Sequence, residues 1–239
     1  MYFTTNFINH HKTFRTNLGM SVLVLFMLTM ISGCAVERNV QDNRFYSSFP
    51  KAIIDVDKKF DYLGSGKYQI SEVPGMEDEF FVFSGKMNKQ TIQKGIVIEF
   101  KMWPPKKSPN LQHYLKIDDK QKNIFAHGYK VINGKQHEYY ITCTSSMSSQ
   151  WVKDKWEGGN EIGKWVNSKG YILPRCGLQQ RIIDFGVDVH KIITYVEDAT
   201  LSGIECSKWY DKDQLPEKQK IYINDFTTRA DQAIKFIEF

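Results

Sequence analysis

The segment Asn123 to Thr144, "NIFAHGYKVINGKQHEYYITCT", constrains the fold of this chain more than any other. Asn133-Gly134 is the preferred pair for a two-residue type I′ hairpin turn, because both positions need positive φ and these two residues tolerate it. That turn fixes the register. Ile132 faces Lys135, Tyr129 faces Glu138, His127 faces Tyr140 and Ile124 faces Cys143. Ile124, Ala126, Tyr139, Ile141 and Cys143 then share an apolar face. Phe125, His127, Tyr129, Glu138, Tyr140 and Thr142 share the other.

Most of the chain from Ile53 onward keeps the same period of two. "KGIVIEFKMW" puts Ile96, Ile98, Phe100 and Met102 on one side and ends at Pro104-Pro105, neither of which can donate a ladder hydrogen bond. "KYQISEV" and "EFFVFSG" read as earlier strands, with Gly64 to Gly66 as the turn before them. "QRIIDFGVDV" reads as one strand with Ile183, Phe185, Val187 and Val189 on its apolar side; "KIITYVEDA" and "KIYIN" read as two more. At the C-terminus, Phe226, Ala230, Ala233, Ile234 and Ile237 fall at helical spacing, with Thr228 as the expected cap of a short amphipathic helix. About ten strands and one terminal helix predict a mainly β (α+β) chain: a single antiparallel domain over residues 49–239, barrel-like or a sandwich. Nothing alternates strand with long helix, as a nucleotide-binding doubly wound sheet requires.

Near the N-terminus, Lys12 and Arg15 precede an apolar run from Leu18 to Ile31, which small residues follow. Fourteen helical residues reach only ~21 Å against a hydrocarbon core of about 30 Å, so the run suits an export signal better than a membrane span. The tetrad Ile31-Ser32-Gly33-Cys34 resembles the lipobox of bacterial lipoproteins. The resemblance covers residues 1 to about 36. It implies diacylglyceryl attachment to the Cys34 thiol, cleavage after Gly33, and an acylated (palmitate-type) N-terminus. Ala35 is not the aspartate that retains such proteins in the inner membrane, so an outer-membrane address is implied in a cell that has one. Residues 34–48 read as a tether.

Removing 33 of the 239 residues leaves 206, enough for one core, and removing Lys12 and Arg15 lowers the formal charge from +5 to +3. A near-balanced exported chain is a poor partner for nucleic acid. Eight lysines between residues 101 and 135 read as solvated loop charge more readily than as a lipid-facing patch. Export also sets the redox environment for the three cysteines left after Cys34. Cys143 falls on a buried strand face, so Cys176 is expected to pair with Cys206, which stabilises the fold by roughly 3 to 4 kcal/mol.

Motifs for catalysis are weak. "GGNEIGKW" mimics a phosphate loop, but Trp165 stands where a magnesium-binding Ser or Thr is needed, so no nucleotide is expected. His127 with Glu138 is the best acid–base candidate, and Asp188 with His190, two apart on one strand, are weak metal-ligand candidates; neither pair has a third partner in the sequence. Trp151, Trp156 and Trp165 sit among glycines and lysines, where indoles can stack on sugars or anchor a protein surface. The expected role is therefore a lipid-anchored envelope protein that binds or scaffolds without catalysis or cofactor, its partner an envelope protein or polysaccharide. The alternatives are an envelope hydrolase using His127 and Glu138, and a hollow β-barrel carrying a small apolar ligand.

Overall fold

The computed structural model describes residues 36–69, 75–103, 123–145, 157–186, 188–210 and 216–239. Ile31 to Cys34, Trp151, Trp156, Val187 and Pro104-Pro105 lie outside them. The residues from Arg38 onward form one compact unit, mainly β and antiparallel. The strands are β1 (Arg38–Gln41), β2 (Arg44–Ser48), β3 (Lys51–Val56), β4 (Asp61–Gln69), β5 (Glu77–Ser84), β6 (Met87–Asn88), β7 (Thr91–Ile92), β8 (Lys94–Met102), β9 (Ile124–Ile132) and β10 (Lys135–Ser145). Helix α1 (Glu157–Ser168), β11 (Cys176–Phe185), β12 (Val189–Asp198), helix α2 (Glu217–Ala233) and β13 (Ile234–Glu238) follow.

Seven strands form one sheet in the order β4-β5-β8-β12-β11-β10-β9, and four form a second in the order β1-β2-β3-β13. Neither closes into a barrel. The inner face of the large sheet packs on the small sheet and on α2. Phe45 of β2 meets Phe81 and Phe100 at ring distances of 4.8 and 5.4 Å, and Tyr195 of β12 meets Phe226 of α2 at 5.5 Å. Glu197, buried beside Tyr195, accepts from Arg229 of α2 through Nε at 2.9 Å and Nη2 at 2.8 Å. It also pairs with Lys94 at 2.9 Å and accepts from the hydroxyls of Tyr195 and Tyr222. These donors outweigh the cost of burial and hold its carboxyl below the usual range.

Several local expectations need correction. Residues 38–48 are strands rather than tether: Asp42 and Asn43 both take positive φ in a tight turn, and the β2 face buries Phe45 and Ser47. The Arg38 side chain is buried, its guanidinium 4.2 Å above the Phe100 ring and paired with Glu79 at 2.5 Å. Gly64 to Gly66 lie inside β4 because aromatic rings cross the strand there. A Cβ on Gly66 would stand 2.5 Å from the Phe80 ring, and one on Gly64 would stand 3.2 Å from Trp165. "KIYIN" is helical, since Gln219, Ile223, Phe226, Ala230 and Ala233 bury one stripe of α2. The helix starts after Pro216 and stops at Ala233, where β13 begins; Thr228 sits inside it and donates to the Asn224 carbonyl. "QRIIDFGVDV" is divided between two strands, β11 ending at Phe185 and β12 beginning at Val189.

Candidate functional site

The β9–β10 hairpin has the expected register at Ile132–Lys135, Tyr129–Glu138 and His127–Tyr140, then slips at a bulge after Ile141, so that Ile124 faces Thr142. The slip turns Phe125 inward, where its ring meets buried Trp209 at 5.8 Å. His127 and Glu138 are diagonal neighbours on the outer face, with Nε2 and Oε1 2.7 Å apart and both side chains partly exposed. Asp188 is exposed in the turn before β12. His190 is buried between the rings of Trp103, at 5.8 Å, and Phe185, at 5.2 Å. Among the described residues no group of three or more His, Cys, Asp or Glu side chains is placed to hold a metal. Trp165 belongs to α1 rather than to a loop, and its ring meets Phe80 edge-on at 5.4 Å. Cys176 and Cys206 are disulfide-bonded with Cα atoms 5.7 Å apart, and Cys143 is a buried free thiol.

The outer face of the seven-stranded sheet carries a feature that strand alternation alone does not reveal. Register places Tyr68, Asp78, Lys101, His190 and Phe185 in one row across five strands. Two rows over, Val82, Val97, Thr194, Arg181, Tyr140 and His127 form another. Adjacent strands lie ~4.8 Å apart, so neighbours in a row touch. Asp78 is fully buried, accepts from Tyr68 and pairs with Lys101, which reaches Glu99 at 3.4 Å. Burial pushes the Asp78 carboxyl up to about 6 against the pull of Lys101, and Glu99 adds to the rise. Burial also works to strip the Lys101 proton, but the two carboxylates outweigh it and keep the ammonium charged. Burial, with Lys101 beside it, depresses His190, so its imidazole is neutral near pH 7. Arg181 donates to the Tyr140 hydroxyl at 3.2 Å, and Gln179 donates to Thr144 at 3.1 Å.

Several polar atoms of this face have no hydrogen-bond partner among the described residues: Asp78 Oδ1, His190 Nδ1, Thr194 Oγ1 and Trp103 Nε1. Each orphaned buried atom costs about 1–3 kcal/mol, so four on one face of one sheet is a costly arrangement for a purely structural layer. Beside them, α1 lies over the sheet with Ile162 and Val166 against Phe80, Val82 and Val97. Between helix and sheet is a cavity of about 30 Å³, its apolar wall including Ile162 and Val166 and its polar wall including Glu99, Arg181, Gln179 and Thr194. That space holds a water or two and no drug-sized ligand. The arrangement supplies fixed charges, hydrogen-bond donors and acceptors, and a carboxyl poised between its two protonation states. Chemically it can hold a buried water or a polar group of that size.

Compared with family models, curated proteins and solved structures, the chain finds no match in any of the three.

Proposed function

We propose that this chain is a bacterial lipoprotein, anchored through lipidated Cys34 in the cell envelope and in the outer membrane where one exists. Its β-rich unit binds an envelope partner or polysaccharide without catalysing a reaction. The anchor rests on the Ile31-Ser32-Gly33-Cys34 tetrad and the short apolar run before it. The binding role rests on one observation above all: the stretch that sets Trp151 and Trp156 among Lys153, Lys155, Gly158 and Gly159. The orphaned polar atoms of Asp78, His190 and Thr194 are buried, out of reach of such a partner. Trp151 and Trp156 are candidate contact residues in the same role, whereas Trp165 packs inward on Phe80.

Mass spectrometry of the mature N-terminal peptide tests the anchor: an acylated Cys34 is expected, and an unmodified Cys34 or a retained Met1 overturns it. Co-sedimentation with insoluble envelope polysaccharide tests the binding role. Retention of the purified protein without release of soluble sugar is the expected result. The 2.7 Å contact of His127 with Glu138 favours a second reading, an envelope hydrolase. Sugar release that His127→Ala or Glu138→Gln abolishes would decide for it.

A further inference from the structure

The three cysteines downstream of Cys34 meet at one point of the core. Cys143 on β10 and Cys176 on β11 project from the inner face of adjacent strands, where Ser145 pairs with Cys176 and Cys143 with Leu178. Their sulfurs are 3.5 Å apart, and Cys176 is already bonded to Cys206. A free thiol thus lies in contact with a disulfide sulfur, the arrangement from which thiol–disulfide exchange starts.

We propose that Cys143, Cys176 and Cys206 form an exchange triad, in which the Cys143 sulfur attacks the Cys176 sulfur, a Cys143–Cys176 bond forms, and Cys206 leaves as the free thiol. One S–S bond forms and one breaks, and the proton lost by Cys143 is balanced by the one Cys206 gains. The step needs no oxidant or reductant. Chain entropy does not oppose it: the present cross-link spans a sequence separation of 30 residues and its replacement spans 33, so the two loops constrain the unfolded chain almost equally.

The two isomers differ in where the thiol sits. Cys143 and Cys176 are fully buried, whereas Cys206 is half-buried in the 3₁₀ turn Cys206–Tyr210. Exchange moves the reactive sulfur from the core to the edge of the surface. The turn does not depend on its sulfur for its place, because Trp209 within it is buried against Phe125 and Tyr222, each ring 5.8 Å away. Exchange also shifts the covalent constraint from the segment holding the β11–β12 hairpin to the one holding α1, the helix that walls the outer-face cavity. Burial pushes the Cys143 thiol up to about 12, so the exchange is slow and proceeds during local opening.

Trapping the displaced thiol tests the proposal. The purified disulfide-bonded protein is held at neutral pH with N-ethylmaleimide, quenched in acid, digested with pepsin without reduction and mapped by mass spectrometry, which separates the Cys34 peptide from the others. Alkylated Cys206 together with a Cys143–Cys176 peptide is expected to accumulate with time in the wild type and to be absent from Cys143→Ser. Cys206 that stays unlabelled in the wild type, or is labelled equally in Cys143→Ser, overturns the proposal. Cys206→Ser is a second arm: the oxidised protein is expected to carry a Cys143–Cys176 bond, and a folded variant with two free thiols there refutes it. Should that variant not fold, the trapping comparison decides alone.

Discussion

Replacing Arg229 by Met tests whether α2 is held to the sheet by charge as well as by apolar contact. Glu197 is almost fully buried and accepts two bonds from Arg229, at 2.9 and 2.8 Å, besides those from Lys94, Tyr195 and Tyr222. Charge-assisted hydrogen bonds contribute about 1.5–3 kcal/mol each, but the Arg229 side chain is about one-third exposed, so solvent screens part of that value. Lys94 remains after the substitution, so the carboxylate is not left without any cation, and the loss falls short of the ~3–5 kcal/mol of a fully broken buried pair. The expected cost at pH 7 is about 2–3 kcal/mol, or roughly 1 M in the urea midpoint. Glu197→Gln with Arg229→Met should cost less than the two single losses added together. Because the folded carboxyl is held below its ordinary value of 4.5, its contribution is present above that pH and lost as pH falls through the folded value. The difference between wild type and Arg229→Met should therefore narrow below pH 4.5. A midpoint change under about 0.5 kcal/mol, or a penalty that grows as pH falls, refutes this account of the network.

Gly66→Ala should destabilise the fold by about 1–3 kcal/mol in urea unfolding, because its Cβ meets the Phe80 ring at 2.5 Å, and Phe80→Leu in the same chain should recover part of the loss. Asp78 titrates in the opposite sense to Glu197. Its folded carboxyl, raised to about 6, keeps a proton that the unfolded chain releases near 3.8, so this group lowers stability as pH rises from about 4 to 6, and Asp78→Asn should remove that slope from a thermal-melting series. Replacing Cys176 and Cys206 by Ser in a Cys143→Ser background should cost roughly 3–4 kcal/mol, read as a shift of the denaturation midpoint relative to Cys143→Ser alone.

The hairpin was legible in the sequence because Asn133-Gly134 admits few turns and the flanking alternation is strict. Its bulge was not, since nothing local to Ile141 and Thr142 marks an extra residue. The turn at Asp42-Asn43 carries the same kind of signal as Asn133-Gly134 but lacks glycine and lies in a polar stretch, which is why β1 and β2 read as tether. "KIYIN" contains enough β-branched and aromatic residues to mimic a strand, and only the stripe running on to Ala233 marks it as helix. The outer-face network was the least legible part. Asp78, Glu99 and Lys101 alternate with core residues as a solvated strand face does, and alternation cannot distinguish a covered polar face from an open one. A cue was present in the rows themselves: once the strand order is known, opposite charges fall opposite one another at Asp78 and Lys101.

The order β1-β2-β3-β13 also sets a schedule for folding. Ile234 pairs with Val56 and Phe236 with Ile54, so the small sheet joins strands far apart in sequence. β1 and β2 are made well before β13, so β3 keeps a bare edge until Ile234–Glu238 arrives. Contacts so distant along the chain are closed slowly, and an open edge attracts other strands in the interval. Loss of only the segment Ile234–Glu238 should therefore show itself first as self-association through β3.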